Sequence, residues 1–557
     1  MNRFSDDAAG KNWRVMALCL VGCCFYQFVC MNPAVDLYDE GVILFGAMRV
    51  AGGDIPHRDF YANYGPGQFY ILAGIFKLLS PSVLIERVWD SVARSLSVAM
   101  VFLLVARCTG SAIAAACTAA VCTVWLAAFQ TYGYPVFPAL AAALAGLACL
   151  LSVFNGGRSA WMLAAAGACT GLALLFRYDI GIFTFLTLAP VLGLCVACRS
   201  RRVGDVVRVM IFYSAGFALV GLPLIVAYAS FGVVPDLLFD LITFPSGHYL
   251  TTRALPFPNF GAIARNTAAG VVYLPLILSA AAIPAIVAAR RGDPHSADVV
   301  GGGSATGRWW MMIALLLLTL TYFGKGTVRV KPEQMAMAII TSLSLTGIAA
   351  TAVLRHAGVA YRSMAIGLVP AFLFSIIPLV GSARQAQQNV LAMSAGDLWA
   401  APGTLGHASC RVPPGLERLA CFSVDQEHLD AIRFLQERTR PGDYIYVGID
   451  RHDKIFMNDI TLYFLAGLRS ATKWHHFDPG LQTSEPIQRQ IIKELEHNHP
   501  RFAVLESQWD AIHEPNASAL SSGVVLLDDY IRDRFKVVAT FNTVSVLEDK
   551  HAVAATR

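Results

Sequence analysis

Long apolar runs separated by short polar breaks constrain this chain before anything else does. A membrane-spanning helix needs about 20 apolar residues, and about eleven segments meet or approach that length. They lie near residues 15–32, 83–106, 111–129, 135–154, 160–176, 180–198, 209–230, 268–289, 309–323, 334–354 and 361–381. Only 15% of the residues are charged and 56% are hydrophobic; a soluble chain carries about 25% charged residues. The fold expected is therefore a polytopic α-helical membrane protein. The first run follows a polar stretch, Met1 to Arg14, and ends Phe28-Val29-Cys30-Met31-Asn32-Pro33. Those residues lack the small-residue pattern of a signal-peptide cleavage site, so the run is expected to stay as the first helix.

The breaks between segments set an orientation, because cytoplasmic loops hold the excess of Lys and Arg. With the N-terminus inside, the inside loops hold Lys11 and Arg14; Arg107; Arg158; Arg199, Arg201, Arg202 and Arg208; Arg290, Arg291 and Arg308; and Arg355 and Arg362. The expected orientation has the N-terminus cytoplasmic and the remaining loops on the outside face. The first outside loop, 33–82, contains an apolar stretch, Phe69 to Leu79, too short to span and expected to lie at the interface. The expected division is a membrane domain over 1–381 and a small extracytoplasmic α/β domain over 382–557. Within the latter, 427–440 and 486–497 have helical character, and strands are expected near 444–448, 502–505, 536–540 and 545–547.

Most of the thirteen cysteines lie in apolar segments and read as small packing residues. Cys410 and Cys421 fall in the polar region, where an extracytoplasmic setting would permit a disulfide. The net charge of +5 is small, and no basic stripe interleaves with aromatics, so nucleic acid is not an expected partner. HExxH, GxSxG and Walker motifs are absent from the sequence, which leaves metalloprotease, α/β-hydrolase and ATPase chemistry without support.

Acidic residues beside a bilayer are costly and mark candidate sites. The first outside loop holds Asp36, Asp39 and Glu40. Asp36 and Asp39 are three apart and share a helical face, while Glu40 points about 100° away from Asp39. A carboxylate at a low-dielectric boundary is a stronger base than one in water. The bland alternative is that these acids cap an interfacial helix. Further along lie His57, Arg58 and Asp59, for which a loop salt bridge is the alternative to ligand binding, and then the turn Gly65-Pro66-Gly67. Arg177 and Asp179 flank a span end. Arg253, Lys325, Arg329 and Lys331 run against the positive-inside trend, and guanidinium and ammonium groups suit phosphate.

An acidic pair on the first outside loop, the run Gly53-Asp54-Ile55-Pro56-His57-Arg58-Asp59-Phe60, and Gly65-Pro66-Gly67 before an interfacial helix together resemble the GT-C membrane glycosyltransferases. The likeness is to protein O-mannosyltransferase-like and aminoarabinose-transferase-like enzymes. It is strongest over about 15–110, and Phe176-Arg177-Tyr178-Asp179-Ile180-Gly181 also looks like a recurrent element of that class. The resemblance implies sugar transfer from a polyprenyl-phosphate donor to a lipid, glycan or protein acceptor on the outer face, with inversion. It implies Asp39 as general base and Glu40 as the second acid; Asp36 has no secure counterpart. His57, Arg58, Asp59, Arg177, Asp179, Arg253, Arg329 and Lys331 are candidate substrate-binding residues. No cofactor is implied with certainty, and a divalent metal ion stays open, since the second outside loop, Gln130 to Pro135, lacks an acidic partner that some relatives carry. A transporter or flippase of a lipid-linked or anionic substrate is an alternative, with Glu86, Arg87, Asp90 and Arg94 of the second span as a conceivable path. A non-catalytic envelope-assembly protein is another.

Overall fold

The computed structural model describes residues 3–290, 304–354, 359–392, 414–420 and 422–551. Cys410 and Cys421 lie outside the described residues. The membrane domain begins with α1 (Arg3–Val29), α2 (Asp39–Ala51), α3 (Gly67–Leu79), α4 (Val83–Thr109) and α5 (Ala112–Ala128). It continues with α6 (Val136–Phe154), α7 (Ala160–Phe176), α8 (Tyr178–Ser200) and α9 (Val203–Ser230). Short helical pieces over 234–265 lead to helices Leu274–Arg290, Ala305–Gly326, Ala336–Leu354 and Val359–Ala392. Each apolar segment read from the sequence coincides with a helix. Among the described residues, seven helices are long and apolar enough to cross a membrane, and α1, α5 and α7 contribute shorter apolar stretches. The last helix runs on to Ala392, past the expected domain boundary at 381/382. Its polar end is held by Ser382, hydrogen bonded to Tyr26 at 2.7 Å, and by Asn389, whose amide donates to the carbonyls of Val29 and Met31.

The first outside loop is mostly helical. The interfacial helix expected over 69–79 is α3, which at 13 residues would span only about 20 Å. It buries Phe69, Leu72 and Phe76 and exposes Tyr70, Leu78 and Leu79. α2 precedes it, packed so closely on the C-terminal domain that a Cβ on Gly41 would sit 2.6 Å from Thr461 Oγ1.

The C-terminal domain carries a five-stranded sheet of order β2-β1-β3-β5-β4. The strands are β1 (Tyr444–Ile449), β2 (Arg469–Ser470), β3 (Phe502–Glu506), β4 (Phe535–Phe541) and β5 (Val544–Asp549). β1 is parallel to β2 and β3, whereas β5 is antiparallel to both β3 and β4. Helices Gln426–Gln436 and Glu485–Asn498 match the two read from the sequence; Thr461–Ala466, β2 and Leu526–Arg534 were not anticipated. The domain is laced to the first outside loop by backbone. Val35 N–H donates to Ser423 O, Ser423 N–H to Pro33 O, and Ile460 and Thr461 N–H to Leu37 O.

Candidate functional site

The site is built on the first turn of α2. Asp36 Oδ1 accepts the backbone N–H of Tyr38 and Asp39, and Glu40 Oε2 accepts the N–H of Asp36 at 3.0 Å. This reciprocal arrangement satisfies amides that a helix start leaves open, and acids in the first turn suit the positive end of the helix dipole. The capping reading of Asp36 therefore holds in the geometry, and it fixes the turn carrying Asp39. Glu40 turns the other way. Its carboxylate forms a two-point pair with Arg87 at 2.7 and 2.9 Å, and both side chains are fully buried. Arg87 is sandwiched between Tyr132 and Phe422, with its guanidinium 4.0 and 4.2 Å from the ring centres. Glu40 thus anchors α2 to α4 rather than facing a ligand.

Asp39 and Asp36 face a cavity of about 820 Å³ in which several inter-helix connections converge. Thr131 and Tyr134 come from the α5–α6 connection, Arg177 and Asp179 from the α7–α8 junction, and Tyr249 and Arg253 from the stretch after α9. Lys325 comes from the last turn of Ala305–Gly326, and Arg329 and Lys331 from the connection that follows it. All are loops read from the sequence as lying on one side. Asp39 is open to the cavity yet enclosed by protein. That burial first, and then Asp36, push its carboxyl up to about 6, while Arg253, Arg329 and Lys331 pull the other way. Burial and then Glu40 raise Asp36 as well.

Four of the cavity cations, Arg177, Lys325, Arg253 and Arg329, are paired with acids. Arg177 pairs with Asp179 at 2.9 Å and donates to Tyr134 Oη; Lys325 reaches Asp179 at 3.6 Å. Arg253 binds Asp478 at 3.1 Å, and Arg329 binds both carboxylate oxygens of Glu514 at 2.7 and 3.1 Å. Lys331 forms no ion pair among the described residues. Tyr38, Tyr61, Tyr64, Tyr134, Tyr178 and Tyr249 add polar-tipped rings to the wall. Among the described residues no group of three or more His, Cys, Asp and Glu comes together as a metal cluster. Arg253, Arg329 and Lys331 face Asp39 across the cavity, and this cation-rich wall suits an anion.

Other candidates lie elsewhere. His57 is fully buried, with Nδ1 2.9 Å from Asp240, and it does not line the cavity. Arg58 and Asp59 pair at 2.7 Å on the surface, where Asp59 also accepts the Ile55 N–H. The span charges Glu86, Arg87, Asp90 and Arg94 are also off the cavity. Arg94 pairs with Asp90, as Arg87 does with Glu40, and all four are at most 2% exposed. Glu86 differs from the other three: it is buried with neither carboxylate oxygen hydrogen bonded among the described residues.

The sequence reading missed a role for Tyr38, Tyr61, Tyr64 and Tyr134, and the contribution of the C-terminal domain. Tyr64 and Tyr134 stood beside motifs already singled out, Gly65-Pro66-Gly67 and the Gln130–Pro135 run. Asp478 carried no local signal, because only the fold brings it to the cavity.

Comparisons with protein-family models and with curated protein sequences return no match. Among solved structures, the chain is similar to ArnT from Cupriavidus metallidurans bound to undecaprenyl phosphate. The TM-score is 0.54 at 14% identity, over 95% of this chain and 97% of that one. The apo form of that protein gives 0.54 at 15% identity, over 97% and 98%. The archaeal oligosaccharyltransferase AglB from Archaeoglobus fulgidus, in complex with an inhibitory peptide and a dolichol-phosphate, gives 0.47 at 12%, over 90% and 70%.

Proposed function

With the ArnT-like GT-C fold as the starting point, we propose that the chain is a membrane glycosyltransferase. In this reading it takes a sugar from a polyprenyl-phosphate donor and passes it to a hydroxyl acceptor at the outer face of a bacterial inner membrane. The N-terminus is then cytoplasmic and the C-terminal domain periplasmic. The carrying observation is the cavity itself: the Asp39 carboxylate faces Arg253, Arg329 and Lys331 across one space at one end of the apolar helices. An undecaprenyl phosphate on the ArnT structure supports a lipid-linked donor here.

In the proposed reaction the acceptor oxygen attacks the anomeric carbon as the bond from that carbon to the phosphate oxygen breaks. Asp39 takes the acceptor's proton, and the electron pair leaves with the polyprenyl phosphate. Attack opposite the leaving group inverts the centre. A base with a pKa near ambient pH is well matched to proton abstraction. Fixed cations stabilise the negative charge that grows on the leaving phosphate. Asp36 keeps the turn in place and tunes Asp39, and Glu40 acts only through its anchor on Arg87. Arg177 and Asp179 shape the far wall with Tyr134. The test is transfer by membranes containing the chain from a panel of radiolabelled polyprenyl-phosphate sugars. Transfer from one of them supports the reading and names the sugar; none from any, with activated donors intact, overturns it.

A further inference from the structure

In open α/β sheets ligands gather outside the carboxyl ends of parallel strands, where neighbouring connections part. β1 is such a strand, flanked by parallel β2 and β3. The segments leaving the carboxyl ends of these three strands all reach the membrane domain's cavity. The one after β1 supplies Met457 and the one after β2 supplies Asp478, both on the cavity wall. The one after β3 supplies Glu514, directly behind Arg329. The ligand edge of the C-terminal sheet is thus spent on the cavity of the membrane domain.

We infer that Asp478 and Glu514 are positioning residues of the C-terminal domain that hold Arg253 and Arg329 in the orientation that receives the donor's phosphate. The inference rests on the reading under Proposed function and adds the C-terminal domain to its machinery. Glu514 engages Nη1 and Nη2 of Arg329 together, which fixes the guanidinium plane; Nη1 also donates to Arg253 O at 3.4 Å, which leaves the Nε–H and the second Nη2–H for a ligand. Asn516 secures Glu514 by donating to Oε2 at 3.0 Å and ties the same loop to Ala254 O at 3.1 Å. Asp478 is 2% exposed. It gives Oδ1 to Arg253 and Oδ2 to the Tyr61 hydroxyl at 2.9 Å and the Asn63 amide at 3.3 Å, so its own direction is set from three sides. Arginine carries large rotamer entropy, and an arginine already immobilised loses little of it when a phosphate arrives.

The test is binding of undecaprenyl phosphate, without sugar, to the full chain in lipid nanodiscs. Glu514→Gln is expected to raise Kd about tenfold at an unchanged thermal midpoint, the scale of one charge-assisted hydrogen bond. Asp478→Asn is expected to weaken binding likewise, and to lower the thermal midpoint as well, because it leaves the buried Arg253 without its acid. In transfer assays both raise the donor KM with kcat nearly unchanged, and Glu514→Asp recovers part of the loss. Glu548→Gln breaks an ion pair with Arg501, away from the cavity, and leaves Kd alone. If Glu514→Gln binds as wild type does while Arg329→Ala is weakened, the positioning role falls and the glycosyltransferase reading stands. Tighter binding by Glu514→Gln also overturns it, because the acid would then be a competitor of phosphate. No binding by wild type removes the functional reading and the positioning role with it.

Discussion

Asp36→Asn separates the electrostatic from the structural part of the site. The asparagine oxygen still accepts the Tyr38 and Asp39 amides that Asp36 Oδ1 accepts, so the turn survives while one negative charge goes. Asp36 precedes the N-cap Tyr38 and holds the Asp39 amide through Oδ1, which places the two carboxylates on the order of 5–6 Å apart. Two unit charges at that spacing repel by about 0.8 kcal/mol in water and about 3 kcal/mol at an effective dielectric of 20. At 1.36 kcal/mol per unit, that is about 0.5 to 2 pKa units, and a water-accessible cavity favours about 1. Asp36 is among the groups raising Asp39 to about 6, so its removal favours ionised Asp39 and lowers that value. A base must be ionised to work, so activity rises with pH through the Asp39 pKa. The acid limb of the kcat/KM profile should therefore move down by about one unit in Asp36→Asn, giving more activity at pH 5 relative to the plateau. The donor is a phosphodiester and does not titrate in this range. An acid limb that stays in place, or moves up, would refute the pairing of these two carboxylates and with it the assignment of the limb to Asp39.

Lys331→Met works with the opposite sign: losing a cation that pulls Asp39 down should move the acid limb up and raise the donor KM. Arg87→Gln leaves the fully buried Glu40 without its partner and should cost about 3–5 kcal/mol, seen as a large fall in thermal midpoint. Arg58→Gln, which breaks only a surface pair, should stay within about 0.5 kcal/mol in the same melt. Gly65→Ala would set a Cβ 2.4 Å from Leu175 O, a backbone atom that cannot step aside; the loop before α3 should be displaced from α7 at a cost of about 1–3 kcal/mol.

The membrane helices were legible because lipid thickness imposes a length that apolar residues must fill, and the strands because short β-branched runs bounded by turns have few other uses. α2 was hidden inside a segment read as loop. Its 13 residues are too few for a span, and its burial comes from α3 and the C-terminal domain, which no local pattern announces. The fates of Asp39 and Glu40 follow from the angle between consecutive helical residues: one faces the cavity and the other faces Arg87. The sequence supplied that angle but not which side was open. His57 stood out as a polar group in a motif, yet its partner is Asp240, 183 positions away. Arg253, Arg329 and Lys331 were visible as cations on the wrong side for the positive-inside rule, and the cavity supplies the local reason. Asp478 and Glu514 were invisible because a polar domain contains many acids and only the sheet topology selects these two.

Asp39→Asn, compared with wild type at matched expression in a transfer assay from the accepted polyprenyl-phosphate sugar, tests the central claim most directly. The amide keeps the shape and cannot take the proton. The account predicts that transfer falls by about 10²–10⁴-fold while undecaprenyl phosphate binds as it does to wild type. Transfer at the wild-type rate by Asp39→Asn would contradict the account and take the catalytic role away from this carboxylate.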